Sequence, residues 1–586
     1  VGALSHLNKY LFQYRWPLLL GLVYLFGNNL FGSLQGPIIR ESVDLIAEAF
    51  KKGNLLSALQ GPLLLQVGYL FGAVMISGAF LYIQRKTLIG VSRKIEYDLK
   101  NEVYQHYQSL PLSFYKKNQT GDLMNRISED VNHVRNYLGP GIMYGLNLFA
   151  LFTVTIPLML SVNLKLTMYS LLPLPFLVLS IYLVHQAMTR RSEEIQRSLS
   201  QLSSDVQETF TGLRILKSYG RIKDYETKFA HASGDYRKKN LALTRINALF
   251  GPTILFLIGA SNILILWIGG QEVIKGTITI GNITEFFFYL NKLTWPVASL
   301  GWITSLIRRA EVSQVRINEF LHEKSDILSG TEKPNTINGS LRFDKVSFTY
   351  PDTGIKAVQE LSFEVKPGER LAIIGGTGSG KSTITHLIGR LFDPSSGAIY
   401  MDNTPLSSYH LQSLRSHIGY VPQDVQLFSD SIKNNIAFGK TEATDQEIEE
   451  AARNADLLEN IKGFPKGWDT IIGERGVTLS GGQKQRLSLA RALIRKPRIL
   501  LLDDCLSAVD TRTEDTIIQN LNAVADRQTC IIVSHRVSSV RMADRIIVID
   551  DGRLVQEGRH QELIEIEGPY RKLFLQQTEQ DNALMA

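Results

Sequence analysis

Two stretches hold residues whose types and spacing could do chemistry. The first, "GGTGSGKST" at residues 375–383, sets glycines among hydroxyls and one lysine. Such a loop lets backbone N–H groups close around phosphate oxygens, and a helix starting at its end adds a favourable dipole. In that role Gly375, Gly376, Thr377, Gly378, Ser379, Gly380 and Thr383 form a cradle, Lys381 reaches the β- and γ-phosphates, and Ser382 ligates Mg2+. The second, "RILLLDDCLSAVD" at residues 498–510, delivers Asp503 and Asp504 at the end of an aliphatic run from Ile499 to Leu502. Asp503 suits a nucleotide-bound magnesium ion, held through water. In an ATPase the next position should activate water, and glutamate is expected there. The chain has Asp504, one methylene shorter.

Both stretches need a scaffold. The strand-like "RLAII" precedes the glycine loop, and Ile384, Leu387, Ile388 and Leu391 follow it at helical spacing. Patterns such as "LRFDKVSFTY" and "ERLAIIG" alternate with helical segments, which predicts an α/β domain with a mixed sheet over 340–586. A polar segment with Gly and Pro, "HEKSDILSGTEKPNTING", forms a linker at 322–339.

The first part of the chain is of another kind. Trp16–Ile39, Pro62–Gln84, Leu138–Asn163, Leu166–Met188 and Ile246–Gly270 each run without Lys, Arg, Asp or Glu. Each exceeds the roughly 20 residues a helix needs to cross about 30 Å of hydrocarbon. A sixth span is expected at 284–307, although it contains Glu285 and Lys292, because an even number keeps both long basic loops on the side of the C-terminal half. Residues 1–321 are therefore read as a domain of six transmembrane helices, entered by an amphipathic segment at 1–15. The first span is too long for a signal peptide and is followed by others, so it is expected to be retained.

Basic residues set the orientation. Segments 85–138 and 188–247 hold 9 and 12 Lys or Arg, against 3, 1 and 1 in 40–61, 164–165 and 271–283. That bias places both long loops, both termini and the C-terminal domain in the cytoplasm. The net charge of +7 is met by anionic lipid at that face and needs no nucleic-acid partner. Cys505 and Cys530 are the only cysteines, which implies no disulfide framework.

"TLSGGQKQR" at 478–486 is the signature of the ATP-binding cassette family, and residues 340–580 resemble that family throughout, with motifs in its order. The resemblance implies roles residue by residue. Tyr350 in "VSFTYPD" would stack on adenine. Gln423 in "YVPQDVQLF" would contact Mg2+ and the attacking water. Ser480, Gly481, Gly482 and Gln483 would bind the γ-phosphate, Asp510 in "SAVD" is the D-loop aspartate, and His535 in "IIVSHR" the switch histidine. "TIIGERG" at 470–476 would touch the loops of the membrane domain. "FYKKNQTGDLMNRISEDV" at 114–131 and "QETFTGLRILKSYGR" at 207–221 look like the coupling-helix loops of the exporter branch. One P-loop and one signature per chain imply a dimer with two composite ATP sites.

At Asp504 the shorter side chain withdraws the carboxylate by roughly 1 to 1.5 Å, a misplacement that costs about 100-fold in rate. Phosphate contacts come from elsewhere, so ATP should be held and hydrolysed slowly. The intact "LSGGQ" can complete a site for a partner bearing glutamate, and "LLLDDCLSAVD" looks like the degenerate subunit of bacterial heterodimeric multidrug exporters. The expected protein is an inner-membrane exporter half that pairs with a second half-transporter and moves hydrophobic or amphipathic compounds. A homodimeric lipid or lipid-precursor flippase is the alternative, and a nucleotide-gated channel or regulator a third. Glu285 and Lys292, with Asn291, Trp295 and Trp302, either line a transport cavity or sit at the interface and pair across helices.

Overall fold

The computed structural model describes residues 2–52, 56–473, 479–507, 509, 511–524 and 528–585. Asp510, Thr478 and residues 474–476 of "TIIGERG" lie outside the described residues. The chain forms two compact units: Val1–Gln108 with Gly121–Glu323, and Ser109–Thr120 with Lys324–Ala586.

The first unit is helical. Among the described residues, five helical stretches are long and apolar enough to cross a membrane: Arg15–Lys51, Gln60–Ser109, Thr120–Val162, Leu164–Thr211 and Ile222–Ile274. These contain the five uncharged runs of the sequence, except Asn163, which lies between the third and fourth stretches. The helix Ile222–Ile274 has 53 residues, about 80 Å at 1.5 Å per residue, so it extends well past a hydrocarbon layer of about 30 Å.

The sixth span differs from its expectation. Residues 280–322 fold as two helices, Ile280–Ala298 and Leu300–His322, that meet at Ser299 just after Pro296. Glu285 and Lys292 dilute the apolar stretch below what the other five reach, so the count of six rests on parity and not on hydropathy. Its start is nevertheless well fixed. Thr279 caps the helix, and Asp44 from the helix Gln35–Lys52 accepts from the Gly281 N–H at 2.8 Å and the Thr279 hydroxyl at 2.7 Å.

The second unit holds two sheets. Strands β1 (Leu341–Thr349), β2 (Lys356–Val365), β4 (Ser396–Met401) and β5 (Thr404–Pro405) form one antiparallel sheet in the order β2-β1-β4-β5. The other contains β3 (Arg370–Ile374), β6 (Ile418–Val421), β7 (Ile499–Asp503), β8 (Thr529–Ser534), β9 (Arg545–Asp550) and β10 (Arg553–Gly558), ordered β10-β9-β3-β8-β7-β6. All its pairings are parallel except β9 with β10. Every residue of β7 and β8 is buried, as expected of parallel strands covered on both faces.

The linker is more ordered than its composition suggests. Gly330 and Glu332 donate their N–H groups to Tyr409 and Ser408 carbonyls, and the Asp402 carboxylate collects the N–H groups of Asn338, Gly339 and Ser340. The short helix Leu112–Lys117 belongs to this unit, with Leu112 packed on its hydrophobic core.

Candidate functional site

The parallel register brings four strand ends together. Ile374 of β3 faces Ser534 of β8, Asp503 of β7 faces Val533 of β8, and Val421 of β6 faces Leu502 of β7. The glycine loop, the two aspartates, His535 and Gln423 all follow these ends, which is where open α/β sheets present ligand sites. They surround a cavity of about 430 Å³ with Tyr350, and Thr377–Thr383 form one wall.

The loop requires glycine where the backbone turns tightly. Gly380 has φ of +96°, and a Cβ there would lie 2.0 Å from the Ala357 carbonyl oxygen. A Cβ at Gly375 would lie 2.1 Å from the Ile549 carbonyl oxygen. From Gly380 the helix Lys381–Ile388 begins. Lys381 folds back over the loop, its Nζ donating to the Gly376 and Gly375 carbonyls at 2.7 and 2.9 Å. Burial lowers its pKa, and the Asp504 and Asp503 carboxylates oppose that shift.

Asp503 is 1% exposed, and both its oxygens accept hydrogen bonds from the same helix. Ser382 Oγ donates to Oδ1 at 2.9 Å and Thr385 Oγ1 to Oδ2 at 3.2 Å. Burial pushes the carboxyl above the usual range, and the two hydroxyl donors pull the other way. A desolvated carboxylate beside a serine hydroxyl fits a hard divalent ion that keeps part of its water and takes phosphate oxygens.

Asp504 sits differently. Its φ is +48°, a left-handed conformation that aspartate adopts more readily than most residues. Its N–H donates to the Val533 carbonyl at 2.8 Å, which anchors the turn to β8. The side chain is bracketed: His535 Nδ1 lies 2.8 Å from Oδ1, and Gln423 Nε2 donates to Oδ2 at 3.4 Å. The three residues expected to handle water are thus in mutual contact through Asp504.

Tyr350 lines the same cavity. Its hydroxyl is 3.0 Å from Thr383 Oγ1, and Lys116 Nζ lies 4.5 Å from its ring centroid. Ser480 caps the helix Gly481–Leu493 through a reciprocal pair with Gln483, the Gln483 N–H donating at 3.3 Å and the Ser480 N–H at 3.0 Å. Ser480 and Gly481 are exposed. Among the described residues of the chain, the signature does not line the P-loop cavity.

Sequence reasoning missed two participants. Thr385 shares a helix face with Ser382, an i,i+3 spacing that was available as a signal. Lys116 carried no signal, since only the fold places it against Tyr350.

Residues 19–297 match the ABC transporter transmembrane region, and residues 358–507 match the ABC transporter domain. The chain belongs to the ABC transporter family as an exporter half-transporter: an integral membrane protein whose helical domain is fused to an ATP-binding domain, an ATPase coupled to transport. It is 38% identical to the multidrug resistance-like ATP-binding protein MdlA of Escherichia coli over 515 residues, 88% of this chain and 87% of that one. It is 31% identical to the ATP-dependent lipid A-core flippase of Photobacterium profundum over 570 residues, 97% of each. The structure of a bacterial Atm1-family ABC exporter with ATP bound superposes with a TM-score of 0.76 at 27% identity, covering 97% of this chain and 99% of the other.

Proposed function

We propose that the chain exports hydrophobic or amphipathic compounds, paired with a second, different half-transporter, and contributes an ATP site that holds nucleotide and cleaves it slowly. The observation that carries this reading is Asp504, whose short carboxylate is engaged by His535 at 2.8 Å and by Gln423 at 3.4 Å. Both of its oxygens are occupied on the protein side. A glutamate at the same backbone position would project its carboxylate further into the cavity, toward an attacking water.

The remaining roles are those that the family resemblance implies. Tyr350 stacks on adenine once Lys116 moves off its ring. Gly375–Gly380 and Lys381 hold the phosphates. Ser382, Asp503 and Gln423 would hold Mg2+, which when bound neutralises charge on the transferring phosphoryl group. Ser480, Gly481, Gly482 and Gln483, with Ser480 and Gly481 exposed at the capped helix start, close over ATP held by the partner, with Asp510 as the D-loop aspartate of that interface. Two ATP molecules favour the closed dimer only through their higher affinity for it. The domains divide at 321 and 340, and the ATP-binding domain and both termini face the cytoplasm of a bacterial inner membrane.

Subunit composition of the complex extracted from its native membrane tests the pairing. A second half-transporter in equal amount, with glutamate at the position equivalent to Asp504, is expected. A complex of this chain alone contradicts the pairing and favours a homodimeric flippase, a reading supported by the near full-length likeness to the lipid A-core flippase.

A further inference from the structure

Two buried acidic groups of the membrane unit face cations. Glu285, 1% exposed, lies 3.5 Å from the Arg40 guanidinium and accepts from the Tyr289 hydroxyl at 2.9 Å. Glu272 is 3.0 Å from Lys165 and 3.1 Å from Lys275. Lys292 stands apart. Its Nζ donates to Ser33 Oγ at 2.9 Å and to the Asn29 carbonyl at 3.4 Å, and among the described residues no carboxylate comes within ion-pair distance.

The niche is built for the ammonium. A Cβ on Gly32 would lie 2.8 Å from Lys292 Nζ and 3.3 Å from Ser77 Oγ, so glycine there makes the room. Asn28, Asn29, Gln35, Ser77 and Asn291 complete the polar wall of a cavity of about 370 Å³. Among the described residues, Lys292 is its one charged lining group. One turn further along the helix, Trp295 is 61% exposed, and Trp302 is 44% exposed. The Tyr144 ring lies 5.7 and 5.5 Å from these two indoles. A polar, cationic compartment therefore adjoins an aromatic one.

A cation inside a membrane domain is costly and calls for a counter-charge or a water-lined path. Neutral oxygens meet only part of that demand. An anionic group entering the cavity would gain charge-assisted hydrogen bonds to the ammonium, with amide donors around it. A cationic group would be repelled.

We propose that this cavity is a head-group site, and that Lys292 selects amphiphiles carrying a phosphate or carboxylate, with the tail laid over Trp295 and Trp302. The inference rests on the reading of the chain as an exporter of amphipathic compounds and names their charge class. The same anionic chemistry is offered by a bilayer lipid head group and by a soluble amphiphilic acid.

The test uses the complex as extracted, in phosphatidylcholine nanodiscs, with equilibrium binding of three probes sharing one tail: dodecyl phosphate, dodecyl maltoside and dodecyltrimethylammonium. Dodecyl phosphate is expected to bind at least tenfold tighter than dodecyltrimethylammonium. Lys292→Gln should erase that preference while leaving maltoside binding within twofold, and Lys292→Arg should keep it. Adding phosphatidylglycerol to the discs identifies the source: displacement of dodecyl phosphate supports a lipid head group, and its retention supports a soluble acid. Equal binding of all three probes to the unmutated complex, as when a partner carboxylate neutralises Lys292, overturns the anion site and leaves the exporter reading intact. Binding of none of them overturns both.

Discussion

Replacing Asp504 with glutamate should raise the ATPase rate of a preparation containing only this chain at least tenfold, with ATP affinity changed less than about threefold. A tenfold gain is about 1.4 kcal/mol of barrier, well inside the roughly 100-fold that a misplaced catalytic group costs. The structure isolates the variable. The Asp504 N–H is fixed on the Val533 carbonyl at 2.8 Å, so the substitution lengthens the arm from a stationary anchor. The proposed phosphate contacts are on Lys381, Ser382 and the loop N–H groups, none of which is altered by the substitution. Phosphate release and equilibrium ATP binding, measured on the same preparation, separate the two effects. An unchanged rate would mean that reach does not limit turnover.

The opposite signature is expected at Lys381. Lys381→Ala should weaken ATP binding about 10- to 100-fold, the range set by losing one charged hydrogen-bonding group at about 1.5 to 3 kcal/mol. The ammonium already lies within the loop, 2.7 Å from the Gly376 carbonyl, and needs only a rotation of its stem to meet phosphate oxygens. Burial lowers its pKa, and the Asp504 and Asp503 carboxylates oppose that shift. Thermal unfolding of the variant without nucleotide should match the parent, because the ammonium's partners there are loop carbonyls at the cavity surface. Undiminished ATP binding would remove Lys381 from the phosphate site.

How far the sequence revealed this molecule depended on whether the signal was local. The P-loop was legible because its glycines answer backbone constraints, as the 2.0 Å approach of a Cβ on Gly380 to Ala357 makes plain. Strand β7 was legible because burial on both faces leaves an unbroken aliphatic run. The linker's place was legible from its composition but its hydrogen bonding was not, since Asp402, a residue far along the chain, gathers the N–H groups of Asn338, Gly339 and Ser340 on one carboxylate. The sixth span was the hardest to read for a physical reason: its polar residues find partners on its own and on other helices, and hydropathy registers their cost without the partners. Glu285 reads as a defect in a span until Arg40 and Tyr289 are in place. The left-handed turn at Asp504 had no sequence signature, yet it directs the carboxylate onto His535 and Gln423.

The most direct test follows the γ-phosphate on this chain under turnover. The native complex is incubated with Mg2+ and 8-azido-ATP labelled at either the α- or the γ-phosphate, then photolysed, and the label on this chain is counted. If the site bearing Asp504 holds nucleotide and cleaves it slowly, the two labels remain in nearly equal amount over many turnovers of the complex. Loss of the γ-label from this chain at the rate of bulk hydrolysis would contradict the account.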